Sequence, residues 1–167
     1  MNNLIRYAGI ASALAFVALT TFSPTTSAAV AVTFTKADQY VDLPFMLSDR
    51  EDVLKTLKQH FEKLGAKLPA GQDLNVEVLD VDLAGRLEPF KMGAGSELRV
   101  LRGGADWPMI ELRYRIETAG KTLKAGEARV TDLNYLRHLN RYSASESLRY
   151  EKAMLDDWFT KDILPPK

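Results

Sequence analysis

The chain has 167 residues, 22 Lys+Arg against 22 Asp+Glu, and no cysteine. Charge balance argues against a dedicated nucleic-acid binder, which normally carries a basic excess. Without a thiol there can be no disulfide, thiolate catalysis, cysteine-zinc site, iron–sulfur cluster or lipid-bearing cysteine.

Arg6 is the only charged residue before Lys36. Residues 10–19 (IASALAFVAL) form an apolar run, followed by Pro24 and the small residues Ser27, Ala28 and Ala29. A positive start, an apolar middle and a small-residue end are the parts of a secretory signal peptide. The run is well short of the roughly 20 apolar residues that span a bilayer. Small residues at the −3 and −1 positions permit cleavage after Ala28, Ala29 or Ala31. The expectation is a cleavable signal peptide over residues 1–29 and one periplasmic domain over residues 30–167, with no permanent membrane span after cleavage. Losing Arg6 with the leader leaves a net charge of −1.

Residues 30–35 (VAVTFT) are β-branched and aromatic and predict a first strand. Ser48 and Glu51 match a capping box, which opens a helix over residues 49–64. Its apolar side is Val53, Leu54, Leu57, Phe61 and Leu64, and Gly65 supplies a left-handed stop. In residues 73–83 (DLNVEVLDVDL), Leu74, Val76 and Val78 alternate in one phase, Val81 and Leu83 in the other. One extra residue near Leu79-Asp80 reconciles them, which predicts a bulged strand. Pro89, Gly93 and Gly95 make residues 85–102 a long loop with a short strand near 98–101.

Residues 110–117 give a clean alternation. Ile110, Leu112, Tyr114 and Ile116 point one way; Glu111, Arg113, Arg115 and Glu117 point the other. That pattern is a half-buried antiparallel strand. Ala119-Gly120 is the hairpin turn, and residues 122–131 return with a bulge at Gly126. Asp132 caps a short helix over residues 133–142 with Leu136 and Leu139 turned inward. Ser143 and Glu146 cap a final helix over residues 146–163, whose buried stripe is Leu148, Leu155, Trp158, Phe159 and Ile163. The fold class is α+β: a two-layer domain, mainly antiparallel sheet, with an N-terminal and a C-terminal helix packed on one face.

The imidazole supply is His60 and His138. His60 lacks a second ligand at helical spacing and reads as a boundary histidine. There is no GxSxG elbow and no phosphate loop, so no cofactor, metal or catalytic residue is predicted. Asp80 and Asp82 share a strand face and would be the carboxylates of a small hydrolase or metal-assisted enzyme; they also read as a solvated strand face. Residues 135–142 (YLRHLNRY) set Arg137 and Arg141 one turn apart between two tyrosines, a face able to receive phosphate or carboxylate groups. Residues 148–159 interleave charges with aromatics, and Arg149 and Glu151 read as a partly exposed flank. The candidate binding surface is therefore Arg137, Arg141, Arg149, Tyr150 and Glu151.

Asp80-Val81-Asp82-Leu83-Ala84-Gly85, Pro108-Met109-Ile110-Glu111-Leu112, Gly126-Glu127 with Thr131-Asp132-Leu133, and Leu148-Arg149-Tyr150-Glu151-Lys152 with Asp156-Asp157-Trp158 occur in this order. The set resembles the uncharacterised bacterial exported family known as domain of unknown function three thousand and sixteen, over about residues 32–162. The last motif is the specific one, and residues 135–142 look individual to this chain. The resemblance implies a Gram-negative envelope protein with a single periplasmic domain and carries over no catalytic residue. Export, balanced charge and the absence of a nucleophile–base set read together as a non-enzymatic binding or assembly-support protein. Its partner would be another envelope protein, a glycan or a lipid headgroup. The other readings are the Asp80/Asp82 enzyme and a carrier of a small apolar or anionic ligand.

Overall fold

The computed structural model describes residues 28–89 and 97–165. The expected leader falls almost wholly on residues 1–27, and part of the expected long loop on 90–96, outside the described residues. A four-stranded sheet runs in the order β1 (Val30–Phe34), β2 (Gln72–Asp82), β5 (Met109–Thr118), β6 (Lys121–Thr131). β1 and β2 are parallel because helix α1 (Leu47–Gly65) carries the chain back between them. The other pairs are antiparallel. The short strand expected near 98–101 is β4 (Glu97–Val100); β3 (Arg86–Pro89), expected as loop, is instead a strand that pairs with it antiparallel.

The β2 bulge falls between Val78 and Asp80. It keeps Leu74, Val76, Val78 and Val81 buried across the change of phase. Ala119 and Gly120 both have positive φ, 49° and 76°, as a two-residue primed hairpin turn requires. The β6 irregularity lies at Leu123, where Ile116 faces Lys124 and Glu117 faces Thr122, and not at Gly126. Gly126 makes room instead, since a Cβ there would come within 3.0 Å of the Tyr114 hydroxyl. The bare backbone lets the Tyr114 ring lie over β6, edge-on to Trp158 at 5.6 Å.

Three helix readings change. α1 begins at Leu47 with Met46 at the N-cap position, so Ser48 lies inside the first turn, its hydroxyl donating to Asp49 at 3.2 Å, and no capping box forms. Gly65 stays helical rather than left-handed; a Cβ there would sit 2.3 Å from Val30 Cγ2, so its role is close approach to β1. Residues 133–142 form turns, not a helix. Asp132 accepts the Asn134 N–H at 3.0 Å, as an N-cap would, but the bonds that follow are those of turns, with the Arg137 and His138 N–H groups both on the Asn134 carbonyl at 2.7 and 3.3 Å. The Ser143–Glu146 signal closes a turn (Glu146 N–H to Ser143 carbonyl, 3.0 Å), and Leu148 enters at φ 52° before α2 (Arg149–Trp158) begins. A π-helical turn, Phe159–Ile163, extends it.

Leu57, Phe61 and Leu64 of α1, the inward residues of β2 and β5, and Met154, Leu155, Trp158 and Phe159 of the C-terminal helix form one apolar core. The opposite set of sheet side chains is an ion-paired ladder in which Arg113 bonds Glu127 (2.6 Å) and Glu77 (3.5 Å), and Arg129 meets Glu111 (3.5 Å).

Candidate functional site

The most specific polar chemistry lies where α1, α2 and residues 132–142 meet. Asp156 is buried, and its carboxylate accepts the Tyr142 hydroxyl at 2.6 Å and the Lys67 ammonium at 3.2 Å. His60 Nε2 stands 3.6 Å and Arg141 Nη1 3.8 Å away. Burial opposes its charge, but the Tyr142 and Lys67 bonds outweigh that and hold the carboxyl below its usual range. His60, 4% exposed, is pushed down to about 4 by burial and is neutral at pH 7. Lys152 is buried beside them with its ammonium on Glu146 at 2.6 Å.

Sequence reasoning misses this network: it places His60 at a boundary and gives Asp156 no role beyond the family motif. Spacing carries a signal for His60: it is three residues from Leu57 and four from Leu64, both buried on the α1 core face. Asp156 likewise stands four residues after Lys152 and three before Phe159.

The network anchors one end of an unusual surface. Tyr135 is buried and its hydroxyl donates to Asp106 at 2.9 Å; Asn140 donates to the Arg149 carbonyl at 3.0 Å; Tyr142 is tied to Asp156. Between these ties, Leu133 and Leu136 are 59% and 43% exposed and Leu139 is fully exposed. The expectation that Leu136 and Leu139 turn inward is thus reversed. Tyr135 is the one fully buried side chain of this stretch, and its hydroxyl finds a buried partner. Beside the leucines runs a groove of about 430 Å³, lined by Arg129, Asp132, His138, Asp157, Trp158 and Lys161.

Of the predicted surface residues, Arg137 and Arg141 are exposed on this segment, and Arg141 also approaches Asp157 at 3.7 Å. Arg149 lies 5.1 Å over the Tyr150 ring, which stacks edge-on against Tyr135 at 5.0 Å. These residues gather around one segment. Glu151 does not join them: it is 2% exposed and accepts the Ala84 N–H at 2.8 Å, and burial pushes its carboxyl pKa up. Asp80 spends its carboxylate on the Val41 and Val81 N–H groups, at 3.2 and 2.9 Å. Burial, with Asp42 and Asp80 nearby, raises the Asp82 carboxyl. Among the described residues, no group of three or more His, Asp or Glu side chains is placed to hold a metal ion.

A family model described as "Protein of unknown function (DUF3016)" matches residues 28–161. The chain belongs to that family. No curated protein and no solved structure matches it. The match takes in the sheet, both helices and the leucine segment, so the anchored surface lies inside the family domain. Among the described residues no helix is long and apolar enough to cross a membrane.

Proposed function

We propose that this protein is exported to the periplasm and serves as a non-enzymatic binding or assembly-support domain of the bacterial envelope. Its contact face is residues 132–142 together with the Arg149–Tyr150 flank of α2. The observation that carries the reading is Leu139, fully exposed on a segment tied down on both sides, by the buried Tyr135–Asp106 hydrogen bond and the part-buried Tyr142–Asp156 one. With Leu133 and Leu136 also exposed on the same anchored segment, Leu139 is part of an apolar surface of the kind that marks a contact site, not a single scattered side chain. Exposed Arg137 and Arg141 give that surface a polar, cationic rim of the kind found at protein interfaces. An envelope protein is the partner the leucines favour over a glycan or a lipid headgroup. The domain is read as two layers, both helices covering one sheet face, which leaves this segment at the margin between helix and sheet. Support comes from the single core shared by α1, α2 and the sheet.

The test is a photo-activated cross-linker at Leu139 in cells, with Glu127 on the outer sheet face as control. Adducts at Leu139 that vanish in Leu136→Ser/Arg137→Glu, with periplasmic location and unfolding midpoint unchanged, are expected. Equal adducts at both positions, or protein retained in the cytoplasm, would refute the reading.

A further inference from the structure

We infer that the leader is removed between Ala28 and Ala29, and that the new α-ammonium of Ala29 is captured by Asp73. The inference rests on the export proposed above and selects one of three cleavage positions that the sequence leaves equal. Cleavage there places Thr26 and Ala28 at the −3 and −1 positions, both small.

Strand pairing decides against the later positions. Val30 faces Leu74 and Ala31 faces Asn75 in the parallel register, and the Leu74 N–H donates to the Ala29 carbonyl at 2.8 Å. Cutting after Ala29 removes that acceptor and leaves a strand N–H without its ladder bond. Cutting after Ala31 also removes Val30, whose Cγ2 occupies the space that Gly65 leaves open on α1. Cutting after Ala28 removes none of these.

That cut also adds an interaction. The Ala29 backbone nitrogen lies 2.9 Å from Asp73 Oδ1. In the precursor it is a neutral amide; after cleavage it is a primary amine, protonated at neutral pH. Charge around Asp73 fits a cation at this point. Along the outer sheet face Glu77 sits opposite Arg113, and Asn75 opposite Arg115, but Asp73 sits opposite Glu117. Like charges directly opposed across a strand pair are unfavourable. Asp73 has no side-chain ion pair among the described residues, while Glu117 has Arg115 at 3.5 Å. The α-ammonium supplies the positive charge missing at this end of the ladder, so processing completes the first strand's attachment.

The precursor, expressed with its own leader, is recovered from the periplasmic fraction and its intact mass measured. A chain beginning at Ala29 is expected; a start at Val30 or Val32 overturns the inference while leaving export standing, and an intact Met1 overturns both. A second measurement compares Asp73→Asn in the Ala29-start form and in a form retaining Ser27-Ala28. The substitution should raise the unfolding equilibrium constant about two- to five-fold in the first form, the range of a partly exposed ion pair, and distinctly less in the second. An equal effect in both forms would mean that Asp73 needs only the amide, and the capture would be refuted.

Discussion

Replacing His60 by glutamine should flatten the acid side of the stability profile. His60 is buried with Nε2 unpartnered by any hydrogen bond, since the nearest Asp156 oxygen stands 3.6 Å away, beyond hydrogen-bond distance. Burial lowers its pKa from the usual 6.5 to about 4; Asp156 pulls upward and Lys152 and Lys67 push down. Between those two values the unfolded chain holds a proton on this imidazole that the folded chain does not. Stability therefore falls as pH drops from about 6.5 towards 4 and levels off below. The gap corresponds to about 3 kcal/mol. Asp156 moves in the same direction but at lower pH, since its depressed carboxyl is lost only below the ordinary carboxylate range. Glu151 and Asp82, both raised, favour the fold as acid neutralises them and so oppose the slope. The comparison between wild type and His60→Gln removes the contributions of Glu151 and Asp82, while that of Asp156, which His60 helps to hold low, falls below the pH range compared. Urea unfolding followed by tryptophan fluorescence at several pH values between about 7 and 4 measures it, with the variant expected to lose most of the slope. A variant slope equal to wild type would refute a neutral, buried His60.

Trp158→Ala should cost about 3–5 kcal/mol in the same urea assay, because Trp158 is buried and meets the rings of Tyr114 and Phe159. Glu151→Ala should cost about 2–4 kcal/mol through the cavity and the orphaned Ala84 N–H, whereas Glu151→Gln keeps an acceptor and should stay within about 1 kcal/mol of wild type at neutral pH. A large loss in the glutamine variant would show that the charge itself holds the site.

Strand periodicity is legible because each outward side chain has an inward neighbour to contradict it. The phase change at Val78–Val81 is enough to locate the bulge, and Ile110 to Ile116 give the buried face of β5. Glycines mislead for a physical reason. Gly65 and Gly126 look like punctuation in one dimension, but both are there to let a side chain from another strand come close, Val30 and Tyr114. Sequence spacing holds no record of a neighbour 35 residues away, as Val30 is from Gly65. Capping signals fail similarly: Ser48 and Ser143 have the right residue three positions on, but α1 starts one residue before Ser48 and α2 starts only after Glu146, whose carboxylate Lys152 takes.

The site divides along the same line. Arg137, Arg141 and Tyr150 are legible, since a cluster of arginines and tyrosines can be seen without knowing the fold. The direction of the leucines is not, because a helix over residues 133–142 would have turned Leu136 and Leu139 inward. The Asp132 cap that the sequence announces does form, on the Asn134 N–H, but the segment is held by distant ties instead of a helical ladder: the Tyr135 hydroxyl on Asp106, Asn140 on the Arg149 carbonyl and Tyr142 on Asp156. With Tyr135, Asn140 and Tyr142 tied to the body of the protein, Leu133, Leu136 and Leu139 are left facing solvent. Exposure of Leu139 is therefore a consequence of how the segment is anchored, and a substitution that loosens the anchor tests the surface as directly as one that removes the leucine.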